Sequence, residues 1–382
     1  MNSRIDIFMF IDAMGWEIIK DRDFLTDLLP YRRPVKMQFG YSSTAIPTIL
    51  TGEPPVVHKH LSFYYYSPES SPFTIFHKLM LHKLPKSILS RWRFRHILSK
   101  AVAKFNGYTG YFEMYAMPFD KIHYFDYIEK KDIFVPGGLA PVPNLADMLV
   151  EKKIPYHISN WRLSEEENVA ALTRDIEKGD IRFAFLYTAA MDGLLHMVTK
   201  SGKEVGPKLE WYASKIRKIA EVAGKHYKDF SISVVSDHGM TTKTGVVDVM
   251  KAVDSLGLQH GKDYAATYDS TMGRFWFLDD NARTAITKLT AEIPHSKIVS
   301  QDEKRKYGID FHDNMYGEMI LLMDPGYQIE PCDMGLKALP GMHGYSPEHE
   351  DSNATFLSTD NPEPHPEWVG DYFKIMMNRL GK

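Results

Sequence analysis

The sequence predicts an α/β chain built on a doubly wound, mostly parallel sheet, with helices on both faces and inserted segments that act as caps. Three observations carry this. Short apolar runs of strand length, rich in β-branched and aromatic residues, stand at 5–11 (IDIFMFI), 181–187 (IRFAFLY) and 230–236 (FSISVVS). Polar helical patterns lie between them, at 163–179 (LSEEENVAALTRDIEKG) and 206–227 (GPKLEWYASKIRKIAEVAGKHY). Strand, helix and strand in alternation give a parallel sheet covered on both sides, whose ligands bind beyond the carboxyl ends of the strands.

A chain of 382 residues is long enough for one large domain with insertions or for two domains. Its 46 basic and 49 acidic residues leave a net charge of −3, so no global polarity points to nucleic acid. One cysteine, Cys332, excludes an internal disulfide framework and any cysteine-cluster zinc site; a metal here takes histidine and carboxylate ligands. No apolar run reaches the ~18 residues of a membrane span. The opening MNSRIDIFMFIDAMGW lacks a small-residue cleavage site and reads as a first strand. These features favour a soluble, cytoplasmic protein.

The catalytic α/β domain is expected over 1–245 plus 331–382, with an aromatic and basic insertion at about 60–140. A small α/β cap is expected over 246–330, containing RFWFLDD (274–280), a helix near 281–293 and EMILLMD (318–324). The insertion holds FYYY (63–66) and NGYTGYFEMYAMPF (106–119), rings able to stack a base or a sugar or simply to form another core layer. Residues 70–112 contain no acid and eight Lys or Arg. Within them, 87–105 forms a helical pattern with Phe94, Leu98, Ala101 and Phe105 on one face. A basic stretch at 78–104 of this kind suits an anionic substrate or peripheral contact with a membrane, or is a solvated helix face.

The strand runs end alike. Asp12 follows the first, Asp192 lies just past the second, and Asp237 and His238 close the third. A lone Asp after a strand ordinarily serves a turn or a helix cap; three together call for another explanation. Asp192 and His196 are four apart, which puts both on one face of a helical turn. His343 stands between glycines, in GMHGY (341–345). Carboxylate and imidazole are the donors zinc accepts when thiolate is absent. Ser42, Ser43 and Thr44 open a short helix that Gly52 can end. They can cap it, but a helix N-terminus also favours an anion such as an alkoxide or phosphoryl oxygen.

Five segments in this order, FIDAMGW (10–16), GYSSTAIPTILTGEPP (40–55), MDGLLH (191–196), SDHGM (236–240) and GMHGY (341–345), resemble the alkaline phosphatase superfamily, and within it the type I phosphodiesterase / nucleotide pyrophosphatase branch. The resemblance implies a phosphodiester- or pyrophosphate-cleaving hydrolase with two zinc ions, Mn2+ or another divalent ion being the alternative, and a Ser or Thr nucleophile. Carried over residue by residue, Asp12, Asp237 and His238 hold one ion, which also touches the nucleophile. Asp192, His196 and His343 hold the other. Counted back from Thr51, the nucleophile falls on Ser42, with Ser43 as the alternative, and the reaction passes through a phosphoserine.

Two positions depart from that pattern. Leu195 replaces the glycine that often precedes the second helical ligand. Phe63 and Tyr64 stand near the place of a phosphate-orienting Asn, a role open to a hydroxyl of Tyr64, Tyr65 or Tyr66. Thr44 and Ile46 occupy the positions where a sulfatase carries Pro and Arg, and a phosphoglycerate mutase would add a Lys ligand; neither pattern is met. A monoesterase or a phosphotransferase acting on a sugar or lipid-linked phosphate uses the same ligand types and remains the alternative. The expected substrate is a small phosphodiester, nucleotide sugar or lipid-linked phosphate.

Overall fold

The computed structural model describes residues 2–83, 89 and 91–381. The chain forms two compact units, one from Met1–His58, Ile133–Thr242 and Pro347–Lys382, the other from Lys59–Asp132 and Lys243–Ser346. The aromatic insertion and the segment after residue 245, set apart in the sequence, thus belong to one unit, and residues 331–346 go with them.

The first unit is built on a six-stranded sheet in the order Tyr31–Val35, Ala354–Ser358, Tyr227–Val235, Asn2–Ile11, Phe183–Thr188, Tyr156–Ile158. The first strand pairs in parallel with Phe183–Thr188 and Tyr227–Val235; only Ala354–Ser358 runs against its neighbours. This is the doubly wound, mostly parallel sheet the sequence predicts. Side chains alternate across it. Ile5, Ile7, Met9 and Ile11 face one core with Leu172, Ile176, Ile216 and Ile219 from the helices Glu165–Lys178 and Val205–His226. Phe8 and Phe10 face the other, against Ile46, Ile49, Leu149 and Tyr372. Because every strand of the centre is buried on both faces, the runs are continuously apolar. The helix Glu165–Lys178 starts on a Ser164–Glu167 capping box and stops at Gly179, where φ is 69°.

The second unit has a four-stranded antiparallel sheet in the order Tyr264–Tyr268, Met272–Phe277, Met319–Met323, Ser296–Ile298, with the helix Asp280–Glu292 packed through Ala282 and Ile286. The aromatic insertion supplies a core of its own: Tyr64, Phe73, Phe76, Phe112, Phe119, Phe125 and Tyr127 are buried together with Trp276. Most of its rings are therefore spent on packing.

The basic stretch forms the helix Trp92–Asn106. Of the helical reading over 87–105, residues 87, 88 and 90 lie outside the described residues, as does part of the 78–104 stretch. The buried face is one residue on from the apolar face read in the sequence. Arg95, Ser99 and Val102 are buried, Phe94 and Leu98 half-buried, and Ala101 and Phe105 exposed. The buried Arg95 is fully used: it donates to the carbonyls of Leu89 (2.7 Å), Tyr115 (2.9 Å) and Met117 (2.8 Å). No helix among the described residues is long and apolar enough to cross a membrane.

Candidate metal centre

Register brings the acids together. Ile11 lies beside Thr188, and Phe10 beside Val235, so the three central strands end level. Asp12, the loop before Asp192, and Asp237–His238 all emerge at that edge. The loops after the first and third of these strands touch backbone to backbone. A Cβ on Gly15 would lie 2.3 Å from Gly239 Cα, and one on Gly239 2.2 Å from the Asp351 carbonyl oxygen. Glycine is required at both places by space rather than by φ.

Asp12, Asp237 and His238 are buried, and each offers one donor atom within 4.8 Å of the others. His238 Nδ1 donates to the Gly239 carbonyl at 2.9 Å. A carbonyl only accepts, so this nitrogen carries the proton and Nε2 is the nitrogen left facing the carboxylates. It lies 3.2 Å from Asp237 Oδ2 and 3.6 Å from Asp12 Oδ1. Asp237 Oδ1 is held by the amides of Ala13 (3.2 Å) and His238 (3.0 Å), whereas Oδ2 is buried and takes no hydrogen bond among the described residues. Burial pushes the Asp12 carboxyl well above its usual range, and the charges of Asp237 and Asp192 push it further. Asp237 is raised as well, chiefly by burial, against the opposing His238 ring and Ala13 amide. Buried oxygen and nitrogen donors that converge in this way fit a divalent cation, whose charge would offset each of these penalties. The donors are oxygen and nitrogen, the set suited to zinc and similar ions.

The hydroxyl at this cluster is Ser42. It is the first residue of the helix Ser42–Thr51, whose end is marked by Gly52 at φ 72°. Its Oγ lies 2.9 Å from His238 Nε2 and 3.4 Å from Asp12 Oδ1. Ser43 Oγ is buried and takes no hydrogen bond among the described residues. The capping role falls instead to Thr44, whose Oγ1 accepts the Tyr41 amide at 3.3 Å.

Asp192 and His196 sit on the helix Ala190–Val198, with Oδ2 and Nε2 3.4 Å apart. Leu195, the departure from the resembling pattern, is fully buried among Ile5, Ile7 and Leu209 of the core. His343 belongs to the second unit, where it is buried between Met342 and Gly344. The tyrosine hydroxyls named from the sequence also lie there. Tyr64 donates to the Glu113 carbonyl (3.3 Å) and Tyr65 to Asp126 (2.8 Å), so both are engaged within their own unit; Tyr66 stacks on Trp276.

Sequence reasoning missed Glu165. Its carboxylate is buried and accepts the Ala190 amide at 3.1 Å, the first N–H of the helix that carries Asp192 and His196. Lys208 and Tyr212 hold it from the other side, both donating to it. Glu165 is one of three glutamates in a row, and nothing in that run singles out the inward one. Beside it opens a cleft of about 420 Å³ lined by Trp161, Asn168, Tyr187, Ala190 and Lys208.

Among solved structures the chain is similar to human ectonucleotide pyrophosphatase / phosphodiesterase 5, with a TM-score of 0.69 and 12% identity over 99% of this chain and 95% of that one. The murine protein of the same name gives 0.66 at 13%, over 99% and 95%. An inactive variant of that murine protein, in complex with AMP, gives 0.66 at 13%, over 100% and 95%. At such identities the likeness establishes the fold alone, an alkaline-phosphatase-like α/β fold. A comparison with curated proteins finds no match. Residues 8–346 match the family described as type I phosphodiesterase / nucleotide pyrophosphatase, and the chain belongs to that family. It is a hydrolase of the metal-dependent phosphodiesterase group.

Proposed function

We propose that this chain cleaves a phosphodiester or pyrophosphate bond through a phosphoserine formed on Ser42. The observation that carries the reading is the Ser42 hydroxyl, 2.9 Å from Nε2 of His238 and beside two buried carboxylates. Residues Asp12, Asp237 and His238 are the ligands of one divalent ion. Asp192 and His196 are those of a second, with His343 as the third ligand that the order of the motifs assigns. Two such ions, zinc first among the choices, would supply positive charge for the phosphoryl oxygens and lower the pKa of the serine hydroxyl.

Ser42 Oγ releases its proton to solvent and attacks phosphorus in line; the Oγ–P bond forms as the bond to the leaving oxygen breaks, and that oxygen departs with the electron pair and takes a proton from solvent. Placement at the first position of a ten-residue helix favours negative charge on Oγ and on the phosphoryl group. Water then loses a proton and attacks the phosphoserine, the Oγ–P bond breaks, and Ser42 is restored. Asp192 and His196 are kept in register by Glu165, which caps their helix from outside. The cleft bordered by Trp161 and Tyr187 offers aromatic surface to the group the phosphate carries. Together with the AMP complex of the murine relative, this favours a nucleotide or nucleotide-like substrate.

The test sets bis(p-nitrophenyl) phosphate beside p-nitrophenyl phosphate, with metal content measured on the same sample and Ser42→Ala as control. Diester cleavage with about two ions per chain, lost in the variant, supports the reading. Cleavage of the monoester alone overturns it.

A further inference from the structure

The basic helix Trp92–Asn106 takes no part in the chemistry above, and its outward face is unusual. Arg93, Ile97, Lys100, Ala101, Lys104 and Phe105 recur at the spacing of one helical face, and all are exposed. Phe105 is 96% exposed, Ile97 66% and Trp92, at the helix start, 69%. An ordinary solvated face carries mixed charge and few large apolar groups. This one has three cations, no acid, and apolar side chains between them.

Two further observations enlarge it. Phe94 of this helix and Phe76 of the short helix Thr74–Lys78 both pack on Phe119. The turn that follows Phe76 also exposes Leu79 (63%) and Met80 (54%). None of Arg91, Arg93, Lys100 and Lys104 makes an ion pair among the described residues. The nearest acid in sequence, Glu113, is engaged by His96 (2.7 Å) and Ser99 (2.8 Å). The positive charge is therefore local and uncompensated in a chain whose net charge is −3.

We infer that this face docks on an anionic lipid bilayer, with Lys100 and Lys104 against the headgroups and Ile97 and Phe105 entering the interface. Charge complementarity selects the occupant. A second copy of the chain would bring cation against cation. A nucleic acid would pair with the lysines but leave exposed aliphatic and aromatic groups such as Ile97 and Phe105 in water. An anionic interface satisfies both kinds of residue, and a basic amphipathic helix with Trp and Phe is suited to lie in it. The inference is independent of the catalytic reading.

Cosedimentation of the full chain with phosphatidylcholine vesicles, with and without phosphatidylserine, tests it. Binding is expected only with phosphatidylserine, and to weaken with salt. The double variant Lys100→Glu/Lys104→Glu is expected to lose it by at least about thirtyfold, and Phe105→Ser by about tenfold. All three side chains are exposed, so an unchanged thermal midpoint shows that the fold is intact. Absence of binding to either vesicle, or equal binding by the double variant, overturns the inference. So does retention on duplex DNA with rejection of both vesicles.

Discussion

Two buried acidic clusters in this molecule solve the same problem in opposite ways. In the second unit, Asp269 lies against the guanidinium of Arg274 at 3.2 Å, and Ser62 donates to it at 3.1 Å while accepting from Arg274 at 2.9 Å. Arg274 is completely buried, and its remaining fork reaches the Tyr64 carbonyl at 2.7 Å. That carboxylate carries its own counter-ion. In the first unit Asp12 and Asp237 meet no Lys or Arg among the described residues; beside them stand a serine and an imidazole. A buried acid that owns a cation is architecture, whereas buried acids that converge without one form a donor set that fits a guest ion.

The contrast can be broken from either side. Ser42→Ala should lower diester turnover about a thousandfold or more, at least ~4 kcal/mol of transition-state stabilisation, with the thermal midpoint unchanged; retained turnover would move the nucleophile elsewhere. Arg274→Met should do the reverse, costing about 3–5 kcal/mol of stability by leaving Asp269 buried and unpaired. Its denaturant midpoint should not recover when zinc is added. Chelation of the wild type should abolish turnover and lower the thermal midpoint, since an ion at a hundred times its dissociation constant stabilises by about 2.7 kcal/mol. An identical melt with and without chelator would remove the distinction between the two clusters.

The smallest expected effect concerns a third kind of acid. Glu129 is buried, and burial, helped by Asp132, raises its pKa to about 8. Asp333 is raised to about 7, again chiefly by burial. For an acid whose folded pKa lies above its unfolded value, the folded state binds the proton more tightly. The stabilising contribution is full below the unfolded value, near 4.5 for Glu129, and is lost as pH rises through about 8. Urea midpoints should fall over that window, and Glu129→Gln should flatten the fall.

Much of the first unit was legible in the sequence because its signals are local. Runs buried on both faces are apolar throughout, and Ser164, Glu167 and Gly179 announce the ends of a helix. Acids recurring at strand ends marked Asp12, Asp192 and Asp237, whereas the grouping of Asp12 with Asp237 and His238, and the preference for Ser42 over Ser43, came from the family resemblance. The second unit was harder to read, since Lys59–Asp132 and Lys243–Ser346 join through contacts far apart in the chain. The buried face of Trp92–Asn106 lies one position on from the apolar face marked by Phe94 and Leu98, for a physical reason. Arg95, satisfied by three carbonyls, occupies an inward place that a hydropathy pattern reserves for an apolar residue.

The strand Ala354–Ser358 lies between Tyr31–Val35 and Tyr227–Val235, and the turn just before it presses the carbonyls of Asp351 and Asn353 toward Gly239 and Gly15. Translation delivers Asp12, Ser42, Asp192 and His238 long before that turn leaves the ribosome. A nascent chain therefore holds the acids without the clamp that sets the spacing of their loops, and long-range pairing of this kind comes late in folding. The convergence of Asp12, Asp237 and His238 is thus a property of the finished polypeptide and not of the half-made one.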